Sequence, residues 1–288
     1  MKRLHLVGYL LLAIAAKSYA IEADNPVSCR HQIDELKPIA GDHSTKASSA
    51  IDLLVWNVQK FENPSTLPWL QKTTAQIILT QESIASIQEA FARTLDANQA
   101  FSPGYRTLGN ETSGVGIITK LQTSLTCAWQ HQEPWLLTPK ATLVSALPLA
   151  NEVLIAVNLH AINFSIGTQE LQQQIEAISD VIDQYDGPIV VAGDFNTWSK
   201  ARTLVLERFI AQHDLHAANF DPDHRVRPFA YPLDHILTKN LNVLTTRSEE
   251  TDLSDHTPLM VTITPSSALG RQLAHNDPTE IERPLSKR

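Results

Sequence analysis

Short apolar runs recur along the chain and are separated by polar or turn-forming residues. Such runs, rich in Ile, Leu and Val, are typical of buried β-strands. The pattern predicts strands over residues 51–56, 77–81, 115–119, 125–129, 141–147, 152–159, 189–192, 233–238 and 259–263. Several connections between the middle strands are short, which favours antiparallel pairing of those strands.

Apolar residues at helical spacing predict three helices between the strands. Ser83, Thr168 and Ser199 each precede such a segment and are candidate N-caps, because a serine or threonine oxygen can accept a hydrogen bond from a backbone N–H of the first turn. The clearest stripe follows Thr168 and consists of Leu171, Ile175, Ile178, Ile182 and Tyr185. These segments place helices on the faces of the sheets.

The order of the elements predicts an α/β fold. Strand–helix–strand units favour parallel pairing and short turns favour antiparallel pairing, so we expect mixed sheets covered by helices. Residues 51–265 form the predicted domain. Residues 21–50 are interpreted as a polar, irregular leader, and residues 266–288 as a polar, flexible tail with little apolar periodicity.

The first 20 residues have the composition of a secretory signal. Lys2 and Arg3 precede an apolar run, and small residues follow at Ser18-Tyr19-Ala20. The run is short for a membrane span, although an uncleaved anchor is the alternative, and no second long apolar stretch follows. The sequence therefore predicts a bacterial periplasmic or secreted protein without a transmembrane segment in its mature chain.

Charge and cysteine content limit the possible partners. Loss of residues 1–20, with Lys2, Arg3 and Lys17, would change the formal net charge from −8 to −11. An acidic protein gains little from nonspecific attraction to nucleic acid. Cys29 and Cys127 can pair in an oxidising compartment, or they can remain two buried thiols. No obligate protein partner is evident.

Polar side chains follow the predicted strands at the points where the strands end. If the two late strands run antiparallel to the others, these groups meet at one edge. Singly, each has an ordinary interpretation as a turn residue, a helix-start acid or a structural histidine. Together they would be costly beside apolar strands unless they served each other or a ligand. The set comprises Asn57, Glu82, His160, Asn163, Asp194, Asn196, Asp234, Asp255 and His256.

Residues of these types support phosphoester hydrolysis. Glu82 is a hard oxygen ligand suited to Mg²⁺, with Mn²⁺ or Ca²⁺ as other candidates. Asp194 or His256 would take a proton from water or orient it, and His160 or His256 would protonate the leaving oxygen or bind the phosphate. The amides of Asn57, Asn163 and Asn196 would orient carboxylates or donate to phosphoryl oxygens.

Six ordered motifs resemble those of the endonuclease/exonuclease/phosphatase superfamily. They are LVWNVQK, LTQES, NLHAINFS, VVAGDFNTW, PLDHIL and LSDHTPL, within residues 51–264. The chain is most similar to the bacterial YafD-like branch. The resemblance implies a four-layer α/β sandwich, in which two packed mixed β-sheets are flanked by helices and the site lies where the strand ends meet.

The resemblance also implies a role for each motif residue. Glu82 is the main metal ligand and Asn57 belongs to the same side. His160 is a general acid or a phosphate contact, and Asn163 is a phosphate contact. Asp194 and Asn196 position the attacking water and the phosphate. Asp234 partners a histidine, and His256 activates water or binds phosphate while Asp255 orients it or contacts the metal.

The resemblance is incomplete near the substrate. In the deoxyribonucleases of this superfamily, arginines shortly after the Asn and Glu motifs contact DNA, whereas this chain has Asn57-Val58-Gln59 and Glu82-Ser83-Ile84. Arg106, Lys140 and Lys200 are local cations that could hold a phosphate or a headgroup, but the favoured interpretation of each is an ordinary surface residue. The leading hypothesis is a Mg²⁺-dependent phosphodiesterase, with nucleic acid as the first candidate substrate. The alternatives are a phospholipid, sphingomyelin or inositol phosphate phosphoesterase, and a non-catalytic or toxin-like binding module.

Overall fold

A computed structural model describes residues 25–36 and 50–266, except 135 and 137. The signal segment 1–20 lies outside these residues, as does the tail 267–288. The described chain contains twelve strands: β1 (Ile51–Asn57), β2 (Ile77–Ile84), β3 (Asn98–Arg106), β4 (Thr112–Thr119), β5 (Leu125–Gln132), β6 (Pro139–Leu149), β7 (Glu152–His160), β8 (Ile189–Asp194), β9 (His216–Ala217), β10 (Asp234–Lys239), β11 (Leu241–Ser248) and β12 (Leu259–Pro265).

The strands form two six-stranded mixed sheets. One sheet has the order β11-β12-β1-β2-β4-β3, and the other has the order β5-β6-β7-β8-β10-β9. Each contains one parallel pair, β1 with β2 and β7 with β8. The late strands β10 and β12 run antiparallel to β8 and β1. This is the orientation that brings their polar ends to the same edge as the ends of the earlier strands.

Five α-helices cover the outer faces: α1 (Pro26–Asp34), α2 (Thr66–Leu70), α3 (Ala85–Thr94), α4 (Gln169–Ile182) and α5 (Lys200–Gln212). Strand alternation explains the layers, because successive side chains of β1 point to opposite faces. Leu53 and Val55 join the core between the two sheets. Leu54 and Trp56 pack instead with Phe91 of α3. The predicted four-layer α/β sandwich is confirmed.

The second sheet is covered by α1, α4 and α5. The apolar stripe predicted after Thr168 lies along α4, where Leu171, Ile175 and Ile178 are buried with Phe209 of α5. Within the described chain, no helix combines the length and apolar character needed to cross a bilayer.

Several local predictions were wrong. The first sheet includes β3 and β11, which the apolar pattern did not reveal because β3 contains Pro103 and Gly104 and β11 is a partly exposed edge strand. Ser83 does not cap a helix, because it lies inside β2 and α3 begins at Ala85. Ser199 does cap α5, and its side chain accepts a hydrogen bond from Arg202 N.

Part of the predicted irregular leader is a helix. Residues 26–34 form α1, which has Pro26 in its first turn. Asn25 caps the helix, because its Oδ1 accepts a hydrogen bond from Ser28 N at 2.9 Å. The structure pairs Cys29 of α1 with Cys127 of β5 in a disulfide, with 5.8 Å between the two Cα atoms. The fully buried pair joins α1 to the second sheet.

Candidate active site

One edge of the sandwich gathers the polar residues that end the central strands. Asn57 and Glu82 come from the first sheet, while His160 and Asp194 come from the parallel pair of the second. His160 lies directly opposite Asp194 in register, and Asp234 lies opposite Asp194 on its other side. The loop before β12 supplies His256. The convergence expected from the sequence therefore occurs in three dimensions.

The turn after β8 depends on the Gly193-Asp194-Phe195-Asn196 segment. Gly193 has φ of 136°, and a Cβ there would lie 2.1 Å from Leu159 O, so only glycine fits against β7. Asn196 has φ of 51°, and its backbone N–H donates to Asp194 Oδ1 at 2.9 Å. The chain therefore reverses around the Asp194 carboxylate and holds it at the strand end.

Asp194 is the centre of the site. Its Oδ2 accepts a hydrogen bond from Asn57 Nδ2 at 3.2 Å and lies 3.6 Å from His160 Nε2 and 3.7 Å from His256 Nε2. Burial raises the pKa of Asp194 to about 6, with a further rise from Asp234, while the positive charge of His256 opposes the change. At neutral pH this carboxylate is ionised and still basic enough to accept a proton.

Asp234 orients His256. The Asp234 Oδ2 and His256 Nδ1 atoms are 2.8 Å apart, which turns the other ring nitrogen, Nε2, toward Asp194. Burial opposes the charge on His256, but Asp234 and Asp194 outweigh it and raise its pKa to about 10. His256 is therefore an imidazolium at neutral pH in the absence of other ligands.

Two contacts fix the loop that carries His256. Trp56 Nε1 donates to His256 O at 2.8 Å, and the Ser254 hydroxyl donates to Asn57 O at 2.7 Å. Asp255 lies in this loop with its side chain exposed. The prediction that Asp255 orients His256 was wrong, because Asp234 makes that contact from the neighbouring strand. A metal contact by Asp255 stays a prediction.

Lys140 is a site residue, although the favoured interpretation from the sequence was an ordinary surface position. It was expected at the surface, but its side chain is buried and its Nζ lies 2.8 Å from His160 Nε2. Burial, together with Lys140 and the charged His256, lowers the pKa of His160 well below its usual range. The contact requires the neutral ring to accept from the ammonium. Arg106 and Lys200 are exposed, as expected.

Glu82 and Lys60 form the more exposed rim of the site. The sequence interpretation did not single out Lys60. Lys60 Nζ donates to Glu82 Oε2 at 2.6 Å, and His160 Nε2 is 4.0 Å from Glu82 Oε1. Burial opposes the charge on Lys60, but the hydrogen bond and charge of Glu82 outweigh it and raise the pKa of Lys60. Glu82 and the three residues 59–61 all have positive φ, so the backbone bends to make this contact.

Asn163 and Asn196 follow the ends of β7 and β8. Asn163 Oδ1 accepts from Trp198 Nε1 at 2.9 Å, and Asn196 Nδ2 donates to Ala161 O at 3.0 Å. The two residues border the same apolar groove. The structure places Asn196 against Asp194 and leaves Asn163 at the margin, so only Asn196 belongs to the inner cluster.

The chemistry of the rim suits a hard divalent cation. Glu82 is a carboxylate ligand, Asn57 has an amide oxygen, and the Lys60 ammonium marks a position at Glu82 where positive charge is already held. Donor atoms of Asp194, Asp234 and His256 also lie within 4.8 Å of one another. Asp234 and His256 of this trio are hydrogen-bonded together, an arrangement that suits proton transfer. A metal held by Glu82 and Asn57 stays a prediction.

Comparisons with known proteins agree with this geometry. The model of the Endonuclease/Exonuclease/phosphatase family matches residues 54–256. The UPF0294 protein VP2298 of Vibrio parahaemolyticus is 35% identical over 234 residues, which cover 78% of this chain and 82% of that protein.

Solved structures of low sequence identity share the fold. An endonuclease/exonuclease/phosphatase from Beutenbergia cavernae has a TM-score of 0.61 at 14% identity, covering 75% of this chain and 72% of its own. ANGEL2, described as a 2',3'-cyclic phosphatase, has a TM-score of 0.59 at 15% identity, covering 75% of this chain and 95% of its own.

Proposed function

The chain belongs to the endonuclease/exonuclease/phosphatase family of phosphoester hydrolases, and we propose that it is a Mg²⁺-dependent phosphodiesterase that acts outside the cytoplasm. The observation that carries this proposal is the buried Asp194–His256–Asp234 group, in which Asp234 is hydrogen-bonded to His256. Asp194 Oδ2 lies 3.7 Å from His256 Nε2 and 3.6 Å from His160 Nε2. The group supplies a base and a fixed positive charge within a few ångströms of each other.

The side chains have separate roles in the proposed reaction. Asp194 accepts the proton of the attacking water, because its pKa of about 6 leaves it ionised at neutral pH. The His256 imidazolium, held by Asp234, donates a hydrogen bond to a phosphoryl oxygen and stabilises the developing charge. Lys140 adds a second positive charge beside the neutral His160.

Glu82 and Asn57 would hold the metal in this proposal. A bound Mg²⁺ polarises a phosphoryl oxygen and screens its negative charge. The oxygen donors suit Mg²⁺, and Mn²⁺ and Ca²⁺ share the preference for oxygen ligands. In the structure, the Lys60 ammonium balances the negative charge of Glu82.

Nucleic acid is the first substrate to test, because the six motifs are those of a family that includes nucleases. A purified mature chain would be incubated with plasmid, single-stranded DNA and RNA, each with Mg²⁺ or with EDTA. Cleavage that requires Mg²⁺ and is lost in Asp194→Asn supports a nuclease. Absence of cleavage of all three removes that substrate class, and activity that survives Asp194→Asn contradicts the assigned base.

A lipid phosphoester is the second candidate, and the apolar groove beside Asn163 and Asn196 favours it. Release of a headgroup or phosphate from a lipid panel by wild type, but not by Asp194→Asn, would support it. If neither nucleic acids nor lipids nor small phosphodiesters are cleaved, the protein is a binding module and the proposed function fails.

Export from the cytoplasm is supported by two features. Residues 1–20 have the composition of a signal peptide, and Cys29 and Cys127 pair as they would in an oxidising compartment. Fractionation of bacteria expressing the full chain tests this. The expected result is a processed protein in the periplasm or medium, and an unprocessed protein in the cytosol would contradict it.

A further inference from the structure

An apolar groove opens beside the candidate active site. Its volume is about 650 Å³, within the range of sites that hold small organic molecules. Ten residues line the groove, among them Asn163, Phe164, Ser165, Asn196, Trp198 and Phe229. Seven of the ten are apolar, and none has a charged side chain.

The rim of the groove concentrates exposed apolar side chains. Leu136, Phe164, Ile166 and Phe229 are between 54% and 78% exposed, and they account for four of the eight large exposed hydrophobic residues in the described chain. Scattered exposed leucines are ordinary, but a contiguous apolar patch at a groove marks a binding surface.

Some polar atoms of the groove floor already have partners. Trp198 donates its ring N–H to Asn163 Oδ1 at 2.9 Å, and the Arg202 guanidinium carbon lies 5.4 Å from the centroid of the indole. Asn196 donates its amide to Ala161 O. The buried Ser165 Oγ has no hydrogen-bond partner in the described chain. The lining thus has three polar residues against seven apolar ones, and a hydrocarbon chain needs no hydrogen-bond donor.

The groove adjoins the turn that holds Asp194. Asn196 lines the groove, and its backbone N–H is bonded to Asp194 Oδ1. Asp194, His160 and His256 are not in the lining, so the groove lies beside the catalytic centre and is separate from it. An organic group attached to a phosphate at Asp194 would enter the groove past Asn196.

The charges around the groove do not suit a long polyanion. Arg225 and Arg227 precede the lining residue Pro228, and both are bonded to Asp223. The chain as a whole has a net charge of −8. A polynucleotide leaving the site over this surface would find no free basic side chain in the lining to replace its counterions.

We infer that the groove binds the hydrocarbon chain of a phospholipid-type phosphodiester whose phosphate lies at Asp194. This inference rests on the proposed phosphodiesterase activity and names its substrate class. The apolar rim would contact the chain as it leaves a micelle or bilayer, and the uncharged lining would exclude water from it.

A series of soluble substrates separates the groove from the chemistry. Methyl, butyl and octyl p-nitrophenyl phosphates share one leaving group and differ only in alkyl length. We expect kcat/KM to rise about fourfold per added methylene while the groove is filling, which corresponds to ~0.8 kcal/mol per buried CH₂. A flat series in an active enzyme would overturn the inference, whereas no cleavage of any member would overturn the proposed function.

Variants at the rim give the second measurement. In Phe164→Ser/Phe229→Ser the ratio of octyl to methyl kcat/KM is expected to fall about tenfold or more, since two large apolar contacts are lost. Both residues are exposed, so their replacement spares the core. Leu244→Ser is the control, because Leu244 is 49% exposed on β11 and does not line the groove. An unchanged ratio in the double variant contradicts the inference.

Natural substrates test whether the groove binds a lipid chain or a nucleobase. Wild type and the double variant would be compared on phosphatidylcholine vesicles and on a single-stranded oligonucleotide. Headgroup release from the vesicles that the double variant loses supports the inference. Cleavage of the oligonucleotide alone, reduced in the same variant, would show that the groove holds a nucleobase and would overturn it.

Discussion

The two halves of the candidate site are built in opposite ways. The buried half consists of Asp194, Asp234 and His256, which are nearly inaccessible to solvent and bonded to each other or to the backbone. The rim half consists of Glu82, about 20% exposed, and Lys60, about 26% exposed, which form an ion pair on a bent backbone. The buried half is thus held together by the protein's own contacts, whereas the rim half is a carboxylate paired with one partly exposed lysine.

This difference has a physical cause. Buried charges are costly unless they are paired and hydrogen-bonded, so the buried half must be complete before substrate arrives. A partly exposed ion pair is worth little and exchanges with solvent ions. We therefore expect variants of the buried half to change the chemical step, and variants of the rim half to change the metal requirement.

The largest effect is expected for His256→Ala, because it removes the positive charge next to Asp194. Loss of kcat should be about a thousandfold, within the range for a group that acts on the transition state. Steady-state kinetics at saturating Mg²⁺ measure it, with circular dichroism to verify the fold. A loss below tenfold would mean that the buried half does not carry the chemistry.

Glu82→Gln should have the next largest effect and a different character. The proposed main metal ligand loses its charge, so we expect a loss of about a hundredfold at low Mg²⁺ that is partly recovered at high Mg²⁺. Titration with Mn²⁺ followed by electron paramagnetic resonance gives a reading independent of activity. Unchanged Mn²⁺ affinity would remove Glu82 from the metal site.

Asp234→Asn tests the buried half by proton affinity. The pKa of His256 is raised to about 10, so the wild-type ring stays charged until the pH approaches that value. Without the Asp234 charge, the lowering effect of burial on the pKa of His256 is opposed less strongly. The pKa should therefore fall, so that the ring loses its proton at lower pH. Nuclear magnetic resonance titration of the imidazole in metal-free protein measures this. A pKa equal to that of wild type would show that Asp234 does not set it.

Lys140→Gln is expected to reduce kcat/KM by roughly tenfold, because one positive charge near the phosphoryl oxygens is lost. The pKa of His160 should rise at the same time, since Lys140 now helps to lower it. Lys200→Gln is the matched control, as Lys200 is an exposed lysine at the start of α5. If Lys140→Gln and Lys200→Gln have the same kcat/KM, Lys140 has no role in the reaction.

The smallest effect is expected for Lys60→Gln. Its ammonium competes with the metal for Glu82, so its removal should tighten apparent Mg²⁺ affinity by about threefold, in line with the modest energy of a partly exposed ion pair. Isothermal titration calorimetry measures the change. Weaker Mg²⁺ binding would indicate that Lys60 supports the metal site. The rim half would then be pre-assembled like the buried half, contrary to the comparison above.

Local pattern was enough for the layers and for the acids, amides and histidines at the strand ends. Alternation in β1 separates Leu53 and Val55 from Leu54 and Trp56 whatever the rest of the chain does, because strand side chains alternate with a period of two. The strand-end residues Asn57, His160 and Asp194 follow apolar runs that can be located from the sequence alone. Weak patterns failed: α1 lies in a polar stretch, and β3 contains a proline and a glycine.

Only the tertiary structure decided which neighbours these residues have. Asp255 adjoins His256 in the chain, yet Asp234, 22 positions away, holds its ring. Lys140 and Lys200 look alike as surface lysines in the sequence, but strand pairing carries Lys140 to His160. Burial and charge contacts act through distances across the sheets, and those distances depend on which strands pair. The sequence by itself therefore determined the acids, amides and histidines of the site, and the packing of the sheets added its lysines and decided which residues are partners.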